Sequence, residues 1–158
     1  ESFKGKGSNN NNVISGGSRG DALYGYDGND TLFGAEGNDT LLSGRGYDRV
    51  YGGDGADAFV FNYAPSNTNI DRVMDFRSGT DRVMLLRAVF PDIGPEGVLK
   101  SSAFVVGSAA LQADDRIIFD KEKGYVYYDQ DGSGSASKHL IFYGLNNVTI
   151  RASDFDIY

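Results

Sequence analysis

The sequence predicts an all-β chain in two parts, a parallel two-sided solenoid over residues 1–61 and a mostly antiparallel β cap over 62–158. Three observations predict it. Six nine-residue units follow one another without a gap from Gly7 to Val60, each with a glycine-rich half, a polar or acidic sixth place and an apolar eighth place. Glycine is over-used, with 22 in 158 residues against 3 prolines, which suits tandem turns better than a packed enzyme core. From Phe59 the nine-residue rhythm gives way to apolar and aromatic runs separated by short turns, the pattern of strands and hairpins.

Gly25 to Phe33 and Gly34 to Leu42 are the clearest units. Ser43 to Tyr51 and Gly52 to Val60 keep their frame, while Gly16 to Tyr24 and Gly7 to Ser15 fit less well. The sixth places run Asn12, Asp21, Asp30, Asp39, Asp48, Asp57, and the eighth places Ile14, Leu23, Leu32, Leu41, Val50, Phe59. Glycine permits the left-handed backbone of tight turns and Thr-Leu-Phe or Ala-Phe-Val favours extension, so each unit reads as a six-residue turn and a three-residue strand. Two units make one coil. Stacked at about 4.8 Å, such coils put the eighth-place residues in an internal column on each side and the sixth-place carboxylates in a ladder outside. Loops two units apart face each other, giving one column of Asn12, Asp30 and Asp48 and another of Asp21, Asp39 and Asp57.

A ladder of carboxylates needs a cation. Two unit charges about 5 Å apart repel by roughly 3 kcal/mol at an effective dielectric of 20, and one apolar residue per unit cannot offset many such terms. Without metal the repeats are expected to be disordered. Carboxylates joined by backbone carbonyls are hard oxygen donors, which select Ca2+ over softer metals. Six copies in phase, apolar places included, separate this pattern from ordinary Asn and Asp turn chemistry.

The units around Asp30 and Asp39 resemble the RTX, or haemolysin-type, calcium-binding nonapeptide. The resemblance implies a calcium-binding β-roll, similar to the C-terminal domain of serralysin-like proteases and related type I secreted bacterial exoproteins. It also implies ligands: the second- and fourth-place carbonyls and sixth-place Asp of one loop, with the first- and third-place carbonyls and sixth-place Asp two units on. Carried over, one site takes the carbonyls of Tyr26 and Gly28 with Asp30, closed by the carbonyls of Ser43 and Arg45 with Asp48. A second takes Ala35, Gly37 and Asp39, closed by Gly52, Asp54 and Asp57. A third takes Gly17, Arg19 and Asp21 with Gly34, Glu36 and Asp39, although Arg19 stands where the fourth-place glycine belongs and strains the turn. A fourth pairs Asn12 with Asp30, where an amide brings no charge and binding is weak or absent; Asn9 to Asn12 reads as a frayed entry. Three or four ions are expected in all.

In the second half, Phe59 to Phe61, Ile70 to Phe76 and Asp81 to Leu86 read as strands, and Pro91 and Pro95 mark a loop. Arg116 to Asp120, Tyr125 to Asp129 and His139 to Tyr143 read as a three-stranded meander turning at Lys121 to Gly124 and Gln130 to Lys138. Ile117 and Phe119 point to one face and Ile118 to the other, so the meander is expected to pack on the end of the repeat stack. The segment from Asp71 to Arg82 resembles the strand pair that follows RTX repeats, with Met84 where the family often has Asp. Asp71 or Asp81 either closes a terminal site above Asp48 or Asp57 or flanks exposed strand ends. Asp129 to Gly134 has the spacing of half an EF-hand loop, but its twelfth place is Leu140, so it reads as a polar hairpin turn. Asp154 to Tyr158 resembles the extreme C-terminus of type I secretion substrates and reads as an amphipathic final turn docked on the cap.

Composition narrows the function. With 22 acidic and 15 basic residues the net charge is −7, which disfavours a nucleic-acid partner. No cysteine is present, no apolar run approaches the length of a membrane-spanning segment, and His139 is the only histidine. A thiol nucleophile or zinc cluster is thereby excluded, and no separate carboxylate pair suggests a glycosidase, so the chain is expected to be non-catalytic. A start at Glu1 without a signal peptide suggests an excised C-terminal segment of a longer protein. The expectation is a secreted, extracellular or cell-surface calcium-binding module that supports type I secretion and folding of an upstream domain, with the secretion machinery as its partner. The alternative is a polysaccharide- or surface-binding module, motivated by ten tyrosines that include Tyr24, Tyr26, Tyr47 and Tyr51.

Overall fold

The computed structural model describes residues 2–146 and 148–158. Its strands are β1 (Lys4–Lys6), β2 (Val13–Ser15), β3 (Ala22–Asp27), β4 (Thr31–Glu36), β5 (Thr40–Arg45), β6 (Arg49–Asp54), β7 (Ala58–Phe61), β8 (Asp71–Val73) and β9 (Arg82–Leu85). They continue as β10 (Gly97–Val98), β11 (Phe104–Val106), β12 (Ile117–Asp120), β13 (Tyr125–Tyr128), β14 (His139–Tyr143) and β15 (Phe155–Ile157). Successive strands from β1 to β7 alternate between two sheets because the turn inside each nine-residue unit carries the chain across, and β8 and β9 continue the alternation. One sheet has the order β1-β3-β5-β7-β9-β15-β10 and the other β11-β12-β13-β14-β8-β6-β4-β2. Within the roll every pairing is parallel, at an offset of two units. The chain is an all-β parallel roll with a β cap.

That register stacks the eighth-place residues on one another. Leu23 lies beside Leu41, Leu41 beside Phe59 and Phe59 beside Val83, while Leu32 lies beside Val50 and Val50 beside Val73. All are buried and belong to a single apolar cluster that runs from Ile14 to Ile157. The strands of the central units are six residues long, not three. Pairing runs on past the apolar residue into the first glycine-rich places, as in Tyr26 beside Gly44 and Ala35 beside Gly53, since those backbones lie close enough to continue the ladder.

Parallel pairing also extends beyond the repeats: β8 adds to β6, β9 to β7, β14 to β8 and β15 to β9. The strands expected over Ile70 to Phe76 and Asp81 to Leu86 are shorter, Asp71–Val73 and Arg82–Leu85; after β8, Asp75 accepts the N–H groups of Gly52 and Gly53 and Phe76 packs on Phe59. The meander β12-β13-β14 is antiparallel, as its short polar turns require. It joins the roll through β14 beside β8 and through stacked rings of Phe61 and Phe142, 4.8 Å between centroids. The C-terminus is not only a docked turn. A 3-10 turn at Ala152–Asp154 leads into β15, which covers the edge that β9 would otherwise leave unpaired. Among the described residues no helix is long and apolar enough to cross a membrane.

Because Leu41 is buried between Leu23 and Phe59, Leu41→Ala is expected to destabilise the fold by about 2–5 kcal/mol in denaturant melts. Leu111 is 73% exposed, so Leu111→Ala should change it by less than about 0.5 kcal/mol. Equal effects would show that the apolar column does not carry the roll.

Candidate metal centre

The repeat loops are built by two left-handed residues apiece. In four consecutive units the second place has positive φ, at Tyr26 (75°), Ala35 (82°), Gly44 (107°) and Gly53 (92°). So has the fourth place, at Gly28, Gly37, Gly46 and Gly55. Side-chain-bearing residues adopt this region at about 1–2 kcal/mol each, so Tyr26 and Ala35 are held there by the stack. A Cβ on Gly44 would collide with the Tyr26 carbonyl oxygen, one on Gly46 with that of Gly28, one on Gly53 with that of Ala35 and one on Gly55 with that of Gly37. Glycine is thus what lets each loop settle on the carbonyls of the loop before it.

The carboxylates fasten the same loops. Oδ1 of each sixth-place Asp accepts the backbone N–H of the sixth-place residue two units earlier: Asn12 to Asp30, Asp21 to Asp39, Asp30 to Asp48 and Asp39 to Asp57, at 2.7–2.9 Å. Phe3 donates likewise to Asp21 at 2.6 Å. Oδ2 of Asp30, Asp39, Asp48 and Asp57 is buried and has no hydrogen-bond partner. A Cβ on Gly25 would meet both Asp30 Oδ2 and the Ser43 carbonyl, and one on Gly34 both Asp39 Oδ2 and the Gly52 carbonyl, so these oxygens border shared small spaces. The expectation that the ladder lies outside is corrected here: Asp30, Asp39, Asp48 and Asp57 are each only 1% exposed. The backbone of the neighbouring loop roofs every carboxylate that holds it.

The other expected ligands fall in the same stack, with differences. The Arg45 carbonyl accepts the Gly28 N–H and the Asp54 carbonyl accepts the Gly37 N–H, leaving one lone pair on each. In the Gly16 to Tyr24 unit, neither Gly17 nor Arg19 is left-handed. The Gly17 carbonyl there accepts the Glu36 N–H, and Asp21 Oδ2 accepts the Gly17 N–H at 2.5 Å, so Asp21 has no free oxygen. Asn12 Oδ1 is taken by the Ser8 N–H. Asn9 to Asn12 was expected to fray, yet Asn11 accepts the Asn29 N–H and Asn12 donates to Asp30, so this entry is tied into the next coil.

Electrostatics separates the same two groups. Burial pushes the carboxyls of Asp30 and Asp39 up, and those of Asp48 and Asp57 up to about 6. Asp21 is held below the usual range by the N–H donors of Phe3 and Gly17. Among the described residues no three carboxylate, imidazole or thiol side chains converge. A cation between the loops therefore has two carboxylates at most and must draw on carbonyls.

The structure decides between the two alternatives for Asp71 and Asp81, and it adds Asp75 and an outer rung of Asn side chains that the sequence reading missed. Asp71 and Asp81 are buried and extend the two columns, accepting the N–H groups of Asp48 and Asp57 at 3.3 and 3.1 Å, so neither flanks an exposed strand end. Asp71 Oδ2 also accepts the Ser43 hydroxyl, and Asp75 takes the N–H groups of Gly52 and Gly53. Asn29 and Asn38 form an outer rung, accepting from Tyr47 and Ala56. The signal for that rung was the recurrence of Asn at the fifth place. The Asp129 to Lys138 connection is a hairpin turn in which Asp131 accepts the Ala136 N–H. His139 is exposed at the start of β14.

Residues 6–41 and 34–61 match the family model of the RTX calcium-binding nonapeptide repeat (4 copies). No curated protein matches the chain significantly. Among solved structures it is similar to the solution structure of the AlgE6R3 subunit from the Azotobacter vinelandii mannuronan C5-epimerase, at 25% identity over 99% of this chain and 78% of that one, with a TM-score of 0.33. Residues 6–61, with their in-phase units, left-handed loops and parallel roll, are RTX calcium-binding nonapeptide repeats by that match.

Proposed function

We propose that the chain is a non-catalytic calcium-binding module whose roll folds when calcium occupies the spaces between stacked loops. The observation that carries this reading is the set of four buried Oδ2 atoms on Asp30, Asp39, Asp48 and Asp57 that lack a hydrogen-bond partner, with a side-chain cation, Arg77, near that of Asp57. Such atoms destabilise a fold unless they are protonated or meet a cation. The donor set fits calcium: Tyr26, Gly28, Asp30, Ser43, Arg45 and Asp48 would hold one ion, and Ala35, Gly37, Asp39, Gly52, Asp54 and Asp57 a second. Gly17, Arg19, Asp21, Gly34, Glu36 and Asp39 would form a weaker third, since Asp21 is already satisfied by N–H groups. Bound calcium supplies positive charge against the ladder. An ion present at ten times its dissociation constant adds about 1.4 kcal/mol of stability. A roll that folds only on meeting calcium suits passage through a type I secretion channel unfolded and folding of the exported protein outside the cell.

A second reading, binding of an acidic polysaccharide, is favoured by one surface. The Arg45 guanidinium lies 4.8 Å over the Tyr63 ring, beside a groove of about 330 Å3 that also takes in Ser66 and Asn69. Tyr24 and Tyr26 stack next to it. Cationic and aromatic faces together suit a carboxylated sugar ring.

Circular dichroism should show a calcium-dependent gain of β-structure, weakened by alanine at Asp30, Asp39, Asp48 or Asp57 and barely changed by Asn12→Ala. A calcium-insensitive β spectrum contradicts coupled folding. In the metal-free chain the carboxyls of Asp48 and Asp57 stand near 6 when folded, against 3.8 as the reference value. Raised values mean that protonation favours the fold: this contribution is complete below 3.8 and is lost as pH rises through about 6. Residual β-structure in chelator should thus increase between about pH 7 and pH 5, while calcium affinity falls severalfold over the same interval. A flat profile in chelator argues against the buried ladder. Calorimetric titration of the calcium-loaded chain should show binding of acidic but not neutral polysaccharides, weakened by Arg45→Ala; silence from both retires the second reading.

A further inference from the structure

One column of the ladder ends on a side chain that carries its own positive charge. The loop space between Asp57 and Asp81 is bordered by the carbonyls of Gly53 and Gly55, which stand two units after those of Ala35 and Gly37. Into it reaches Arg77. Its guanidinium donates to the Gly53 and Gly55 carbonyls, the latter at 2.8 Å. It also lies 3.9 Å from Asp57 Oδ2, 3.8 Å from Asp81 Oδ2 and 3.7 Å from Asp54 Oδ1. The backbone N–H of Arg77 is bound to Asp81 Oδ2 at 2.7 Å, which fixes the residue in the turn that closes the loop.

We propose that the Arg77 guanidinium stands in for a metal ion: it occupies the last cation position of the Asp21-Asp39-Asp57-Asp81 column and ends calcium binding there. The proposal rests on the calcium reading of the earlier spaces. Among the atoms that Arg77 meets are the kind offered one coil earlier, a second-place carbonyl, a fourth-place carbonyl and two ladder carboxylates; the exposed Asp54 carboxylate and the covalent tether are added. A planar guanidinium with several N–H donors can serve two carbonyls and two carboxylates at once, which an ammonium matches poorly. The other column ends on Asp71, whose oxygens meet hydrogen-bond donors instead of a guanidinium. Asp71 gives one oxygen to the Asp48 N–H and the other to the Ser43 hydroxyl, and the Gly46 carbonyl accepts the Ile70 N–H. The chain thus places a charge where the terminal oxygens are open and hydrogen-bond donors where they can be closed. At the junction with the cap, one fastening of the roll becomes independent of calcium.

The test is the number of ions held by the full chain. At saturating calcium, metal analysis after gel filtration should show one more ion per chain in Arg77→Ala than in the wild type, and Arg77→Ala combined with Asp81→Asn should lose it again. Arg77→Ala should also need severalfold more calcium to reach half-folding. Equal ion counts in the wild type and in folded Arg77→Ala overturn the proposal. Should that variant not fold, wild-type crystals soaked in terbium decide: anomalous peaks between the Asp30 and Asp48 loops and between the Asp39 and Asp57 loops, with none between Asp57 and Asp81, support it. A peak among Gly53, Gly55 and Asp81 overturns it. A wild-type chain that binds no ion at all removes the calcium reading itself and this proposal with it.

Discussion

Each repeat carboxylate performs two tasks with its two oxygens, and the roll depends on the difference between them. Oδ1 ties a coil to the one before by accepting a backbone N–H, the role a strand hydrogen bond would play if the loops were ordinary strands. Oδ2 is sealed from water by the same stacking and lacks a donor in Asp30, Asp39, Asp48 and Asp57. A geometry that binds coils together therefore also buries negative charge every coil. One buried Leu or Val per unit contributes about 1.5–3 kcal/mol, comparable with the roughly 3 kcal/mol of repulsion between neighbouring carboxylates about 5 Å apart. Neither dominates, so the charge state of the ladder decides whether the coils stay stacked.

The two ends of the stack solve the problem differently. At the cap, both sheets run on without interruption, and aromatic rings of Phe59, Phe61, Phe76 and Phe142 replace the single apolar residue per unit. Hydrogen bonds from Ser43 and the cation of Arg77 meet the terminal carboxylates. At the entry, Gly5 occupies the position beside Leu23 with no side chain to offer the column, and Asn12 stands in the ladder without charge. Asp21 has its oxygens filled by N–H groups of Phe3 and Gly17. The entry thus buries less uncompensated charge and less apolar area together.

The periodicity was legible because it is a local property: glycine, acid and apolar residues recur at fixed places, and a nine-residue repeat that crosses between two sheets leaves little choice of topology. The two columns of carboxylates and of apolar side chains followed from that repeat, as did the meander from its short polar turns. The extensions of the ladder were legible only as one of two alternatives. Asp71 and Asp81 follow irregular connections that no count of nine reaches, so only the resemblance offered them as additions above Asp48 and Asp57, and Arg77 looks like any charged residue in a turn until the loop it enters is built.

Sequence alone therefore determined the roll, its register, the family of the repeats and the residues that form the ladder, because each depends on spacing along one continuous run. Tertiary structure decided that the carboxylates are roofed and not exposed, that Asp21 is satisfied while its neighbours are not, and that one column closes on a guanidinium and the other on a hydroxyl. Those outcomes depend on which donors meet each carboxylate oxygen in the folded loops, Gly17 at Asp21, Ser43 at Asp71 and Arg77 at the Gly55 carbonyl, and the places of glycine, acid and apolar residues in a unit do not specify them.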